Sequence, residues 1–132
     1  MIDKQQALGL VNSINKTSGK KRRKSIYEFF VNNCFATLGY ETLANCIRSS
    51  MTLSVSSFYR SVTAAQTELA LTGKIGRISE LTLRQLANLS AQQQQQIWSK
   101  ALLKAKAGHL YPTATVLREL TAQEILANEI FN

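Results

Sequence analysis

Apolar residues recur along this chain at the three-and-four spacing of one helical face, almost from end to end. Residues 3–14 place Ala7, Leu10, Val11 and Ile14 on one side of a short helix. A helix of that length is marginal alone, so it must dock on something. Residues 15–24 read as a polar linker that closes on five consecutive cations, Lys20, Lys21, Arg22, Arg23 and Lys24. Ser25 and Glu28 then present an S-x-x-E capping box, in which each side chain satisfies the other residue's free backbone amide. Ile26, Phe29, Phe30, Cys34 and Leu38 predict the central helix of the core behind it, with Gly39 as a left-handed stop.

Residues 41–48 predict a short helix burying Leu43, Ala44 and Ile47, and a Ser/Thr-rich turn over 49–54 breaks it. Ser54 caps a longer helix with Val55, Phe58, Tyr59, Val62, Gln66 and Leu69 on one side, ending at Gly73. Residues 74–78 bridge to a helix capped by Ser79 and carrying Leu83, Leu86 and Ala87. Ser90 and Gln93 form a second capping box, opening a helix through about residue 107 with Ile97, Trp98, Ala101 and Leu102 inward. Within that helix the glutamine run 92–96 is a solvated face. Gly108 ends it, and Pro112-Thr113 begin another with Val116, Leu117 and Leu120. Thr121 and Glu124 suggest a third box before Ile125, Leu126 and Ile130. No segment alternates with period two. The expected fold is therefore all-α, a single-domain multi-helix bundle, since 132 residues are too few for two independent cores.

Charge adds a partner to this picture. Sixteen Lys and Arg against eight Asp and Glu leave a net charge of +8, a self-repulsion that a polyanionic partner would relieve. The excess is confined to residues 1–109, which hold fifteen of the cations and five of the carboxylates. The run 20–24 reads as a flexible arm that lies along phosphates or enters a minor groove.

Catalytic chemistry finds no foothold. His109 is the only imidazole, next to Gly108 at a helix end, and reads as a loop residue. There is no G-x-S-x-G and no P-loop. Two cysteines and one histidine are too few for a zinc site, so Cys34 and Cys46 read as buried core thiols. The expectation is a protein that is not an enzyme and uses no cofactor or metal. No apolar run is long enough to span a bilayer and the first residues lack a leader's apolar stretch, so a cytoplasmic location is expected.

A short helix, a tight polar turn and a longer helix over about 41–72 outline a helix-turn-helix. On the longer helix, steps of 100° set Ser56, Ser57, Arg60, Ala64 and Thr67 opposite the apolar stripe. Small side chains let a backbone approach a groove, and an Arg can take guanine O6 and N7 together. Ser54 and the amides after it form a helix N-terminus of the kind that receives a phosphate.

From Glu41 to about Leu120 the chain resembles the helical DNA-binding portion of ParB-type plasmid and chromosome partition proteins. The residues that carry the resemblance are Leu43-Ala44 with Ile47, then Val55-Ser56 and Tyr59-Arg60. They continue with Gly73-Lys74-Ile75-Gly76-Arg77-Ile78-Ser79, Leu83-Arg84-Gln85-Leu86-Ala87-Asn88-Leu89 and the Gln-rich helix. The resemblance implies a helix-turn-helix followed by a helical bundle, with a DNA-contacting role for Ser54, Ser56, Ser57 and Arg60. Residues 1–40 are too short for that family's nucleotide-binding domain, and no dimerisation strand pattern follows. What is implied is a stand-alone DNA-binding module without a CTP-dependent clamp, a regulator or accessory partition factor of a plasmid, phage or mobile element.

The resulting expectation divides the chain into an N-terminal helix with a basic arm, 1–24, and a DNA-binding domain, 25–132. The DNA contacts would be Lys20, Lys21, Arg22, Arg23 and Lys24 on the arm and Ser54, Ser56, Ser57, Arg60 and Thr67 on the reading helix. A homodimer would match two successive major grooves. The rivals are unspecific DNA or RNA binding through the arm alone, and a helical protein-interaction adaptor.

Overall fold

The structure, a computed structural model, describes the backbone of residues 2–105 and 111–131 and the side chains of 2–105 and 111–127. The described residues form eight helices and no strand: α1 Lys4–Lys16, α2 Gly19–Val31, α3 Cys34–Thr37, α4 Leu43–Ser50, α5 Val55–Thr72, α6 Glu80–Arg84, α7 Ala91–Lys104 and α8 Ala114–Phe131. Among them no helix is long and apolar enough to cross a membrane.

Two apolar clusters organise the bundle, and α5 serves both. The first joins Ala7, Val11 and Ile14 of α1 to Ile26 and Phe29 of α2, Cys34, Cys46 and Ile47, and Phe58 and Val62 of α5. Phe29 meets Phe58 edge-to-face, ring centres 6.2 Å apart. The second cluster gathers Ala64 of α5 with Ile78, Leu83, Leu86, Ile97, Trp98, Ala101, Leu117 and Leu120. The buried face of α5 thus drifts from Phe58 and Val62 to Ala64, Thr67 and Glu68. This leaves Tyr59, Gln66 and Leu69, expected on the apolar stripe, exposed. Cys34 and Cys46 are buried and free, and burial raises both thiol pKa values.

The N-terminal region differs most from the expectation. Residues 19–24 are not a linker: α2 starts at Gly19, after a turn of only two residues from α1, and α1 packs along α2. The capping box that opens a helix here is Asp3 with Gln6, at the start of α1. Ser25 is no cap. It lies inside α2, where its hydroxyl meets that of Ser13 at 2.8 Å. Extending α2 backward puts Arg23 three residues before Ile26 and on the same inward face, where it is 2% exposed. The boundary drawn at residue 24 therefore falls inside a packed helix. The expected central helix also stops early, because Asn33 takes a left-handed φ of 54° and starts the separate turn α3.

Arg23 is held by Glu68, which is 0% exposed on α5. Oε1 of Glu68 accepts from Arg23 Nη1 at 2.6 Å and from the Gly76 amide at 2.9 Å. Oε2 accepts from the Arg77 and Ile78 amides at 2.7 and 2.8 Å. Arg23 Nη1 also donates to the Ile78 carbonyl at 2.7 Å. One carboxylate thereby ties α2, α5 and the 73–78 loop together. Burial alone would push the Glu68 carboxyl upward. The three amides and the guanidinium outweigh it and hold the pKa below the usual carboxylate range.

Beyond the loop, Ser79 and Ser90 cap α6 and α7 as expected, with the Ser90–Gln93 box formed. The third box is absent: Thr121 sits within the continuous α8, where its hydroxyl donates to the Gln85 carbonyl at 3.4 Å. The stop at Gly108, His109 and the Ile130 side chain lie outside the described residues.

Glu68→Gln should cost about 3–5 kcal/mol, because it leaves Arg23 buried without its counter-charge. The sign with pH follows from the depressed pKa. The stabilisation from Glu68 is complete above the unfolded-state value, near 4.5, and is lost as pH falls through the folded-state value. Thermal unfolding of the wild type should therefore lose midpoint on acidification below about pH 4.5, more steeply than Glu68→Gln. Parallel profiles would remove Glu68 as the acid-sensitive group. Gly76 takes φ +92°, and a Cβ there would lie 3.1 Å from the Lys20 carbonyl oxygen, whereas Gly73 at φ +74° faces open space. Gly76→Ala should then destabilise by about 1–2 kcal/mol more than Gly73→Ala, measured by denaturant unfolding.

Candidate functional site

The turn between α4 and α5 is fixed from outside by α1. Asn15 Nδ2 donates to the Ser50 carbonyl at 2.8 Å, and its Oδ1 accepts from the Thr52 amide at 2.9 Å. This clamp sets how α5 leaves the turn. Thr42 caps α4 by accepting from the Asn45 amide, and Ser54 caps α5 by accepting from the Ser57 amide at 3.1 Å. The Ser54 hydroxyl donates to Ser57 Oγ at 3.0 Å, and Arg60 Nη2 donates to the same Ser57 oxygen at 3.0 Å. Ser54, Ser57 and Arg60 thus form one chain of hydrogen bonds along the outer face of α5. It orients the guanidinium and leaves its other donors free of any carboxylate among the described residues.

The helix face expected to point outward is exposed over its first two turns only. Ser54, Ser56 and Arg60 are exposed and Ser57 is half-buried. Thr67 is 9% exposed and Ala64 6%, because α6 and the second cluster cover the far half of the helix. Thr67 is therefore part of a cleft floor and is withdrawn as a contact for a macromolecule.

The five cations divide likewise. Arg23 is withdrawn, since its guanidinium is consumed by Glu68 and the Ile78 carbonyl. Arg22 is half-buried and donates through Nε to the Thr17 carbonyl at 2.8 Å, which leaves its terminal nitrogens for other partners. Lys20, Lys21 and Lys24 are exposed, and their spacing puts them on one stripe of α2. They are displayed on a docked helix, not on a flexible arm.

The tertiary structure brings the two sets of residues onto one surface. A cleft of about 340 Å³ is lined by Lys20 and Arg22 of α2, by Ser57 and Ser61 of α5, and by Ser79 and Glu80 at the start of α6. Next to it, Arg60 and Arg84 of α5 and α6 line a second depression together with Ser57 and Glu80. Glu80 accepts from Arg84 at 3.2 and 2.5 Å, so that pair is internally neutral and Arg60 carries the unbalanced charge. Ser61 and Arg84 belong to this surface although neither was expected there. Arg84 has a visible signal, its i,i+4 spacing from Glu80 on the outside of a helix. Ser61 has none, because only the position of α6 tells which side of α5 remains open. No group of three or more metal-ligating side chains occurs among the described residues.

Set against models of known protein families, against curated proteins and against solved structures, the chain finds no match.

Proposed function

We propose that this chain binds duplex DNA with sequence preference, without catalysis or cofactor, through the face made by the start of α2 and the first half of α5. The observation that carries this reading is that Lys20 and Arg22 share a cleft with Ser57 and Ser61. Phosphate contacts fix the register of a protein on a duplex and base contacts select the sequence. A face that sets lysines beside an exposed, pre-oriented arginine on a helix of small residues has both parts. Lys20, Lys21 and Lys24 meet phosphates, Ser54 and Ser57 assist them at the start of α5, and Arg60 and Ser56 reach base edges.

Two further features support the reading. The net charge of +8 suits a polyanion, and the stretch from Glu41 to about Leu120 resembles the helical DNA-binding portion of ParB-type partition proteins. The chain then serves as a regulator or accessory partition factor of a plasmid, phage or mobile element in the bacterial cytoplasm or nucleoid. It acts as a homodimer on a two-fold site.

Selection from a random duplex pool, with a random RNA pool run beside it, should enrich a palindromic duplex. On the selected site Arg60→Ala should cost about 1–3 kcal/mol and relax preference at one base position, with little change in salt dependence. Lys20→Ala and Lys21→Ala should each weaken binding to all sequences alike and lower the salt slope by about 1. If removing the lysines abolishes every interaction while Arg60→Ala changes nothing, binding is unspecific and the reading face is wrongly assigned. Absence of any nucleic-acid binding near physiological salt would favour a protein-interaction adaptor.

A further inference from the structure

Between α5 and α6 lies a cleft of about 310 Å³, at the lower end of the range of small-molecule sites. Its floor is made of side chains already in the core: Leu83 at 2% exposure, Ala64 at 6% and Thr67 at 9%. Tyr59, 44% exposed, forms one wall, its ring braced edge-to-face by Phe30 and Phe58 at 6.5 and 6.1 Å. A braced aromatic wall and a buried apolar floor keep such a cleft open instead of letting it collapse.

The rim decides what fits. Three charged side chains reach it, Arg60, Glu80 and Arg84, and the last two neutralise each other. The remaining charge is that of Arg60, whose only hydrogen bond among the described residues goes to Ser57. An apolar body with a single cation at its edge is complementary to a small apolar monoanion. A phosphate matches less well, because its second charge finds no further unbalanced cation and its oxygens would lose water over Leu83 and Ala64. Lys20 and Arg22, in the neighbouring cleft, are the better place for one.

We infer that the α5–α6 cleft is a binding site for a small hydrophobic carboxylate, a single ring seated on Leu83, Ala64 and Thr67 with its carboxylate on Arg60. The site is independent of the DNA reading. Its consequence rests on that reading: a ligand that occupies Arg60 removes the base-contacting side chain and releases the protein from its specific sequence.

Benzoate is the probe and benzamide, its neutral isostere, the control. Titrated into the isotopically labelled full chain, benzoate should shift backbone amides of residues 56–67 and 80–87, with benzamide about tenfold weaker or more. Arg60→Ala should lose the same factor. Thr63→Phe, at an exposed position on the rim, should block the cleft and abolish the shifts while leaving the unfolding midpoint near that of the wild type. Equal binding of the two probes, no shifts up to tens of millimolar, or benzoate shifts centred on residues 20–24 that survive Thr63→Phe would each overturn the inference. Competition is then read separately, as loss of affinity for the selected duplex when benzoate is added to the wild type but not to Thr63→Phe. A chain that binds benzoate in the cleft and no DNA keeps this site and loses the DNA reading.

Discussion

The Glu68 carboxylate is the constraint on which the rest of the arrangement depends. It is fully buried and accepts four hydrogen bonds, three from consecutive loop amides and one from Arg23. A buried ion pair contributes little net stability over an apolar alternative of the same shape. What it contributes is uniqueness. A carboxylate with all its positions filled allows one relative placement of α2, α5 and the 73–78 loop, and any slip leaves a charge unpaired in the core. Gly76 completes that placement, since its positive φ turns the loop amides toward Glu68 and its missing Cβ lets the loop pass the Lys20 carbonyl.

The proposed binding face inherits its geometry from this anchor. Arg23 is drawn inward, so the lysines around it are carried on an ordered helix beside α5. Ile78 belongs to the same network and leads directly into Ser79 and α6, which form the other wall of the α5–α6 cleft. A cation expected to touch a partner thus places the cations that remain free to do so. Positioning a charged stripe on a rigid element also lowers the ordering cost of binding that a flexible arm would carry.

Much of the fold is legible in the chain because helix ends are local events. Ser54, Ser79 and Ser90 cap where the sequence places them, and Gly73 ends α5 in the left-handed conformation. The failures are local signals overruled by packing. Ser25–Glu28 and Thr121–Glu124 have the letters of a capping box, but each lies inside a helix that neighbours have lengthened. α2 extends back to Gly19 because α1 covers it, and α8 continues through Thr121 because α6 and α7 lie along it. The inward role of Arg23 has a trace in its spacing to Ile26 and Phe29. That of Glu68 has one as well, an acid following Phe58, Val62 and Ala65 on one helical face. Each trace becomes readable only once the other is known.

The sequence by itself determined the all-helical class, most helix starts, the two buried thiols and the outward position of Ser54, Ser56 and Arg60. Those follow from side-chain periodicity and backbone capping, which act over one or two turns. Only the tertiary structure decided which cations stay in water, where the open face of α5 ends, and that α2 and α5 share a surface. These depend on contacts between residues far apart in the chain, such as Arg23 with Glu68 and Asn15 with the α4–α5 turn. No local pattern encodes such a contact, because its energy exists only after both partners have been brought together and the water between them removed.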